Sequence, residues 1–434
     1  MPSDLLIRGG TVVLPGVGAV SADVAISGET IDAIGARLPG AREEIDAHGL
    51  HVLPGVIDAH VHFNEPGRTD WEGWATGTRA LAAGGATACI EMPLNAHPPT
   101  VDAAAFDAKL AAASAAAHVD FALWGGLVPG ARLEELAERG VAGFKAFMCD
   151  SGIEDFPAAD PDTLADGMQR AAGLGLPVAV HAENPAQLRE PTGTGWRDFV
   201  ASRPVEAELD AIAAALALAE ETGCALHVVH VSTGEGVELV GEARARGVDA
   251  TCETCPHYLT LTEDDLETLG TRAKCAPPLR TAAAREKLWQ HLGAGHVALV
   301  ASDHSPCPPA MKEGSFTEAW GGIAGCQSLL ALLLDAARVP LATIAALTSH
   351  NVAARFALPK ARLQPGADAD LVLVDMRDRH APELLDRHGL SPFAGRALRG
   401  RVVRTLVRGT TVFHDGRIVA APHGRLITPT KGPA

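Results

Sequence analysis

Long hydrophobic runs, lysine and tyrosine are all scarce in this 434-residue sequence. The longest uninterrupted apolar stretch, near residues 211–219, is bounded by Asp210 and Glu220 and is well short of the ~20 residues that cross a bilayer. The first ten residues, MPSDLLIRGG, have no charged segment followed by an apolar core, which is the pattern of a secretory leader. These absences argue against a membrane span and against export.

Basic charge is also scarce. The chain has 36 Lys and Arg residues against 53 Asp and Glu residues, a formal net charge of −17, and no long basic run. Binding to a nucleic-acid backbone is therefore not expected. The eight cysteines are scattered, and the one C-x-x-C pair, Cys252 and Cys255, has no second pair that would complete a zinc ribbon. We therefore expect a reduced, cytoplasmic protein.

The pattern of apolar residues changes twice along the chain. Residues 1–51 and the residues after 365 are typical of short strands separated by turns. Between them, strand-like apolar runs alternate with alanine-rich helical segments such as VDAAAFDAKLAAASAAA. There are eight runs: VLPGVIDAHVH, TACIEMP, VDFALWGG, GFKAFM, PVAVHAE, ALHVVHVS, VDATCETC and VALVASD.

This alternation predicts the fold class and the domains. We expect an α/β chain with a (β/α)8 TIM barrel over residues 52–364 and a small β-sandwich domain built from both termini, residues 1–51 and 365–434. In such a barrel the active site lies at the C-terminal ends of the strands.

His60 and His62 close the first run. Because alternate residues of a strand point to the same side, both imidazoles are expected to face the mouth of the barrel, as two nitrogens on one metal ion require. An isolated H-x-H pair is a weak signal in a chain with 18 histidines, and surface or core histidines are the alternative. The position at a strand end favours the metal site.

Lys145 lies inside an apolar strand. The chain has seven lysines against 29 arginines, yet this one stands between Phe144 and Phe147, where an unpaired ammonium group is costly to bury. One interpretation is an ion pair with a barrel carboxylate. The other is that burial lowers the pKa of the amine, which then reacts with carbon dioxide to form a carbamate that bridges two cations.

Two single histidines and an aspartate end later runs. His181 and His230 follow β-branched residues, and each suits a second metal ion. Asp303 closes the eighth run with a carboxylate that could bind one metal and accept a proton from water, which makes it the candidate general base. Packing, supporting or pocket roles are assigned to three other histidines: His227, His257 and His304.

The order of these residues resembles that of the cyclic amidohydrolases of the amidohydrolase superfamily, which include dihydroorotases, hydantoinases or dihydropyrimidinases, and allantoinases. The resemblance spans nearly the whole chain, and several long stretches are most similar to the allantoinase branch. These stretches are HVHFNEPGRTDWEGW at 60–74, EMPLNAHPPT at 91–100, GFKAFMCDSG at 143–152, KCAPPLR at 274–280, SDHSPC at 302–307 and WGGIAGCQ at 320–327.

Two departures separate the chain from the sister enzymes. A dihydroorotase carries an arginine two places after its H-x-H pair to hold the substrate carboxylate, and this chain has Asn64 there. A hydantoinase carries a tyrosine five places beyond the strand-four lysine, where this chain has Asp150, and its one tyrosine is Tyr258. The small polar groups near this position, such as Ser151, suit a ring that carries a ureido group.

The resemblance implies two divalent cations, expected to be zinc, bridged by carbamylated Lys145 and by a hydroxide. The implied ligands are His60, His62 and Asp303 for one cation, with His181 and His230 for the other. The implied reaction is the ring opening of allantoin to allantoate in purine catabolism. The implied substrate contacts are Asn95, Ser151, Cys275, Ala276 and Gly322.

Further expectations concern the assembly and the alternatives. The resemblance implies a homotetramer, and the Gly- and Pro-rich residues 306–325 could cover the pocket as a mobile lid. A hydantoinase or dihydropyrimidinase would share all the metal ligands and remains an alternative. A scaffold homologue that has lost catalysis is the other, and the presence of all six ligand positions argues against it.

Overall fold

Residues 2–430 are described by the computed structural model of the chain. No helix in this range combines the length and the apolar content needed to span a bilayer. Strands and helices are mixed in two groups. One group holds strands from both ends of the chain, and the other is a central series in which parallel strands alternate with helices, so the α/β class is confirmed.

The strands from the two termini form one nine-stranded sheet. They are β1 (Leu5–Leu14), β2 (Gly18–Ser27), β3 (Thr30–Gly35), β4 (Glu43–Asp46), β5 (His51–Pro54), β15 (Leu371–His380), β16 (Leu398–Val407), β17 (Thr410–His414) and β18 (Arg417–Ile418). β5 and β15 pair antiparallel and join the two halves. Buried aliphatic side chains from both halves, including Ile7, Val24 and Leu371, form a core of their own.

The central series has eight strand positions, and each apolar run of the sequence supplies one. They are β6 (Val56–Val61), β7 (Ala86–Glu91), β8 (Asp120–Leu123) continued by β9 (Gly125–Gly126), β10 (Phe144–Phe147), β11 (Val178–His181), β12 (Leu226–Val228), β13 (Ala250–Thr254) and β14 (Leu299–Val300). Successive strands pair in parallel. Beyond β14, the His304 amide donates to the His60 carbonyl (3.2 Å) and the His62 amide donates to the His304 carbonyl (2.8 Å).

Helices connect the strands. They are α1 (Trp74–Ala83), α2 (Ala103–Ala116), α3 (Leu133–Arg139), α4 (Pro161–Leu174), α5 (Trp196–Ser202), α6 (Val205–Thr222), α7 (Gly234–Ala245), α8 (Pro256–Thr260), α9 (Leu266–Leu269), α10 (Ala282–Gly293), α11 (Leu329–Ala336), α12 (Leu341–Ala345) and α13 (Asn351–Arg355). The predicted alanine-rich helices are α2 and α6. The Asp102 carboxylate accepts from the Ala105 amide at the start of α2 (2.8 Å), and Gly223 ends α6 in the left-handed conformation.

The first apolar run is divided between the two groups of strands. The change occurs at Gly55, whose amide donates to the Asp370 carbonyl of the terminal sheet (2.9 Å). A Cβ added at Gly55 would stand 2.1 Å from the Thr87 hydroxyl oxygen, so the close approach of the two groups requires glycine. The sequence predicts this boundary at residue 52 instead, because a run of apolar residues does not reveal a change of hydrogen-bond partner.

Parts of the C-terminal segment also return to the central series. The Phe121 amide of β8 donates to the Arg425 carbonyl (3.0 Å), and the Ile427 amide donates to the Phe121 carbonyl (2.8 Å). Between β15 and β16, the Arg387 side chain donates to the Glu72 carbonyl (2.5 Å), close to the residues that follow His62. Residues 365–430 are therefore not confined to the terminal sheet.

Candidate metal centre

His60 and His62 lie at the C-terminal end of β6, beside Asp303, which follows β14. His60 Nε2 is 3.2 Å and His62 Nε2 is 3.5 Å from the same oxygen, Asp303 Oδ1. The two histidines are 1% and 4% exposed, so both imidazoles are buried. Two imidazole nitrogens and a carboxylate oxygen this close together form a donor set that suits a divalent cation such as zinc.

His181 and His230 form a second pair at the ends of β11 and β12. His181 Nδ1 and His230 Nε2 are 3.0 Å apart. The His230 ring also lies 5.5 Å from the His60 ring, so the second pair adjoins the first group. Because each neutral imidazole offers one lone pair, two converging nitrogens can be shared by one cation.

Lys145 is fully buried in β10, beside β11, and Nζ has no hydrogen-bond partner among the described residues. Nζ lies 5.0 Å from the centre of the Phe147 ring, and that ring stacks on His181 at 4.4 Å. Burial lowers the pKa of the amine to about 7, although Glu253 and Asp303 raise it. The neutral amine is the form that reacts with carbon dioxide, and a pKa of about 7 makes that form abundant at neutral pH, so Lys145 fits a carbamate.

Burial also keeps the imidazoles neutral. It lowers the pKa of His62 to about 4 and lowers the pKa values of His181 and His230 as well. The charge of Lys145 adds to the lowering in all three cases, which places the amine within electrostatic range of both histidine pairs. Neutral imidazole is the form that binds a metal ion. Burial raises the pKa of Asp303, but the neighbouring imidazoles outweigh it and hold that pKa well below its usual range.

Four residues at this end of the strands have a left-handed backbone. The φ angles are 40° at His230, 47° at Asp303, 64° at Asn64 and 69° at Asn95. A residue other than glycine adopts this conformation at a cost of about 1–3 kcal/mol, and such costs persist where the surrounding structure fixes a side chain for function. Two of the four are candidate metal ligands.

Two buried glutamates, which the sequence analysis did not single out, hold the outer nitrogens of the candidate ligands. Glu253 Oε1 is 2.6 Å from His60 Nδ1, and Glu183 Oε2 is 2.7 Å from His181 Nε2. Such carboxylates fix the tautomer of a histidine and leave its other nitrogen free for a metal. The signal was present, because a glutamate inside an apolar run, as in ATCETC, must find a partner when it is buried.

The four candidate histidines and Asp303 line a cavity of about 640 Å³, and Lys145 lies outside its lining. Three of the predicted substrate contacts line it: Asn95, Ser151 and Ala276. The other two lie outside its lining. Cys275 is buried, and Gly322 packs against Ser305, where an added Cβ would stand 2.3 Å from the carbonyl oxygen. Asn95 also approaches His62, with Nδ2 at 3.3 Å from Nδ1, so it orients a candidate ligand.

Charged side chains that the sequence analysis did not anticipate also line the cavity. Arg189, Arg203 and Lys274 are basic, and Glu190 and Glu318 are acidic. Asp150, the residue that stands where hydantoinases carry tyrosine, lies in the same wall. The five unanticipated residues lie in connecting segments, where the sequence gives no strand-end signal. The wall therefore offers both donors and acceptors to a polar ligand.

The histidines given supporting roles do not join the two ligand groups. His227 Nε2 lies 3.1 Å from Glu253, the carboxylate that also holds a candidate ligand. His304 Nδ1 accepts from the Gly325 amide (3.1 Å), and His257 is buried with its pKa lowered to about 4 by burial. All eight cysteines are free and buried, including the C-x-x-C pair.

Comparison with proteins of known name and structure gives one consistent result. Among curated relatives, the allantoinase of Rubrobacter xylanophilus is 59% identical over 99% of this chain and 98% of its own length. The allantoinases of Solibacter usitatus and Deinococcus radiodurans are 54% and 48% identical, over at least 97% of each chain. All three align over nearly their full length.

Solved structures agree on the architecture. The L-hydantoinase (dihydropyrimidinase) of Arthrobacter aurescens superposes with a TM-score of 0.94 at 34% identity, covering 98% of this chain and 100% of that one. The D-hydantoinase of a Bacillus species superposes with a TM-score of 0.90 at 31% identity, covering 99% and 100%. The model of the amidohydrolase family matches residues 51–412, a span that includes every candidate ligand. The chain belongs to the amidohydrolase family.

Proposed function

We propose that this protein is an allantoinase, a hydrolase that opens the ring of allantoin to give allantoate. The amidohydrolase family and the solved neighbours support hydrolysis of a cyclic amide. The curated relatives that support allantoin as substrate are 48–59% identical, whereas the solved hydantoinases are 31–34% identical. The observation that carries the proposal is the convergence of two histidine pairs and an aspartate at one cavity, with an unpaired buried lysine in the strand beside His181.

We infer a centre of two divalent cations, expected to be zinc. The proposed ligands are His60, His62 and Asp303 for one ion, His181 and His230 for the other, with Lys145 as a carbamate between them. The donor types fit zinc, and the unpaired Lys145 amine fits the carbamate. Bound there, the cations would lower the pKa of a water molecule toward neutrality and so supply the hydroxide for attack.

The side chains of the site would complete the reaction. The Asp303 carboxylate, kept ionised by the imidazoles around it, would take the proton of the attacking water and return it to the departing ring nitrogen. Asn95, Ser151 and Ala276 line the cavity beside these groups and would hold the ring. Asp150 would accept hydrogen bonds from the ureido group, which offers several N–H donors.

We also infer that the central strands close into a (β/α)8 barrel over residues 52–364, capped by a β-sandwich formed by both termini. The hydrogen bonds between His304 and the first strand support closure, because they join the eighth strand position to the first. The solved neighbours of the same family support both parts. A homotetramer, expected from the resemblance, would appear as a fourfold mass in light scattering.

The discriminating experiment is a substrate panel on purified protein reconstituted with zinc, manganese or cobalt. Allantoin should be the best substrate, ahead of dihydrouracil and dihydroorotate. Equal or better turnover of dihydrouracil would favour the hydantoinase alternative. Turnover of dihydroorotate would contradict the interpretation that this chain cannot hold a substrate carboxylate because it has Asn64 where dihydroorotases have arginine.

A further inference from the structure

Residues 313–322, here called the cover segment, contain no helix or strand and form part of the cavity wall. Thr317, Glu318, Ala319, Trp320 and Gly321 all line the cavity. Few backbone bonds hold the segment, among them those from the Phe316 amide to the Thr194 carbonyl (3.0 Å) and from the Trp320 amide to the Met311 carbonyl (2.7 Å). Within residues 2–430, only one of its carbonyl groups, that of Ser315, accepts a backbone amide. Another interaction must therefore fix its carbonyl groups.

Lys312 supplies the first part of that interaction. Its Nζ donates to the carbonyl oxygens of Thr271 (3.0 Å), Trp320 (2.8 Å) and Gly322 (2.6 Å). An ammonium group has three N–H donors, and all three are used on main-chain oxygens. Because the donor is charged, these bonds are stronger than bonds between neutral groups.

Lys274 supplies the second part. Its Nζ donates to the Ala319 carbonyl (2.5 Å) and the Thr317 carbonyl (3.2 Å) and lies 4.8 Å from the centre of the Phe199 ring. Lys274 itself is 6% exposed and lines the cavity. Within the described range, neither lysine has a carboxylate at ion-pair distance, in contrast to Lys109, Lys287 and Lys360. Together the two ammonium groups hold four carbonyls of a six-residue stretch.

We propose that Lys312 and Lys274 act as a clamp that positions the cover segment against bound substrate. The proposal rests on the proposed function, because it assigns the clamp to binding of the cyclic ureide in this cavity. Lys312 is a positioning residue, since it lies outside the cavity lining and reaches the cavity only through the main chain of Trp320, whereas Lys274 lines the cavity itself. Trp320 also packs edge-on against Trp71, with ring centres 5.0 Å apart, which gives the segment a further contact with the rest of the chain.

The clamp has a titratable property that can be measured. Burial lowers the pKa of Lys312 to about 8, although Cys307 and Cys275 raise it. Burial lowers the pKa of Lys274 to about 8 too, helped by the charges of Lys312 and Arg203. A lysine with a lowered pKa carries its charge below that value, so the clamp is complete near pH 7 and weakens above about pH 8.

Steady-state kinetics on allantoin test the clamp in the metal-loaded enzyme. Lys312→Met should raise KM by about 10-fold and change kcat by less than about 3-fold, because a poorly positioned segment weakens binding and leaves the ligand groups intact. Lys312→Arg keeps the charge and should recover most of the loss, with a KM that rises less steeply above pH 8 than the wild-type KM, because only Lys274 still loses its charge there. Lys287→Met, which removes an exposed ion pair, is the matched control and should leave both constants unchanged.

Hydrogen exchange measures the segment without any substrate. In Lys312→Met, the amides of residues 313–322 should lose protection from exchange, while those of α7 keep theirs. In the wild type, the amides of residues 313–322 should lose protection selectively as the pH rises from 7 to 9.5, after correction for intrinsic exchange. The pH arm needs no variant, so it decides the matter even if Lys312→Met does not fold. Unchanged KM, or protection that does not depend on Lys312 or pH, would overturn the clamp. If the metal-loaded wild type does not hydrolyse allantoin, the proposed function is wrong. Hydrogen exchange would still test the clamp, because it needs no substrate.

Discussion

Two buried lysines, one at the candidate metal centre and one where the central strands meet the terminal sheet, have opposite surroundings. Lys360 Nζ lies 2.6 Å from Asp120, 2.6 Å from Asp368 and 2.9 Å from Asp370. Lys145 Nζ has no polar partner among the described residues. Burial opposes the charge of both groups, but the carboxylates raise the pKa of Lys360 above its ordinary value, while that of Lys145 falls to about 7.

The difference separates a structural lysine from a reactive one. Where carboxylates surround an ammonium group, the charge is compensated and the residue joins parts of the fold. Where carboxylates are missing, burial favours the neutral amine, and the neutral amine can react as a nucleophile instead of forming an ion pair. The clamp lysines are a third case, in which main-chain oxygens satisfy the donors without adding negative charge.

The largest expected effect follows from removing the lysine at the metal centre. Lys145→Ala should lower kcat/KM by about 10⁴-fold, roughly 5 kcal/mol, because the second cation loses the bridge that holds it. Adding a short carboxylic acid should return part of the activity, since its two oxygens replace the carbamate. Wild-type turnover in the variant would refute the carbamate, and with it the claim that Lys145 is a reactive lysine.

Asp303→Asn removes the proposed proton acceptor and keeps the size of the side chain. We expect kcat to fall by about 10³-fold, as is usual for loss of a positioned base that also binds metal. The experiment is a steady-state assay at pH 7 with metal content measured alongside. A variant that retains both its metal and its full kcat would exclude Asp303 as the base.

Lys360→Met tests the structural half of the comparison. Removing this cation leaves three carboxylates together, and the free energy of unfolding should fall by about 3 kcal/mol or more in urea denaturation. Lys145→Met in metal-free protein should change it by less than about 1 kcal/mol, since no ion pair is lost. Equal destabilisation by the two variants would break the comparison.

The sign of the pH effect can be checked on the same variant. Because the folded-state pKa of Lys360 is raised, its stabilisation is fully present below about pH 10.4, the pKa in an unfolded chain, and is lost as pH rises through the folded value. The difference between wild type and Lys360→Met should therefore be constant from about pH 6 to 9. If this difference in the free energy of unfolding became smaller over that range, a group other than Lys360 would be compensating the charge of the three carboxylates.

The smallest expected effect concerns the carboxylate behind the first histidine. Glu253→Gln keeps a hydrogen bond to His60 Nδ1 but removes the charge, and metal affinity should fall by about 10- to 100-fold. Competition with a chelator measures this directly. No change in affinity would show that Glu253 serves packing alone.

Much of the arrangement could be predicted from sequence because it is local. The eight apolar runs become the eight parallel strand positions. A polar residue at the end of such a run, as at His181 or Asp303, indicates the C-terminal ends of the strands, where the candidate ligands lie. The change of sheet at Gly55 could not be predicted, since it depends on hydrogen-bond partners distant in the chain. Neither could the clamp, because Lys312 binds carbonyl oxygens that every residue possesses.

The most direct test of the account is the metal content of the purified protein, measured by mass spectrometry on wild type and on Lys145→Ala. The account predicts about two divalent ions per wild-type chain and one or fewer in the variant, because only the wild type has the bridge between the two histidine groups. Fewer than one ion per wild-type chain after reconstitution with zinc and carbon dioxide would contradict it.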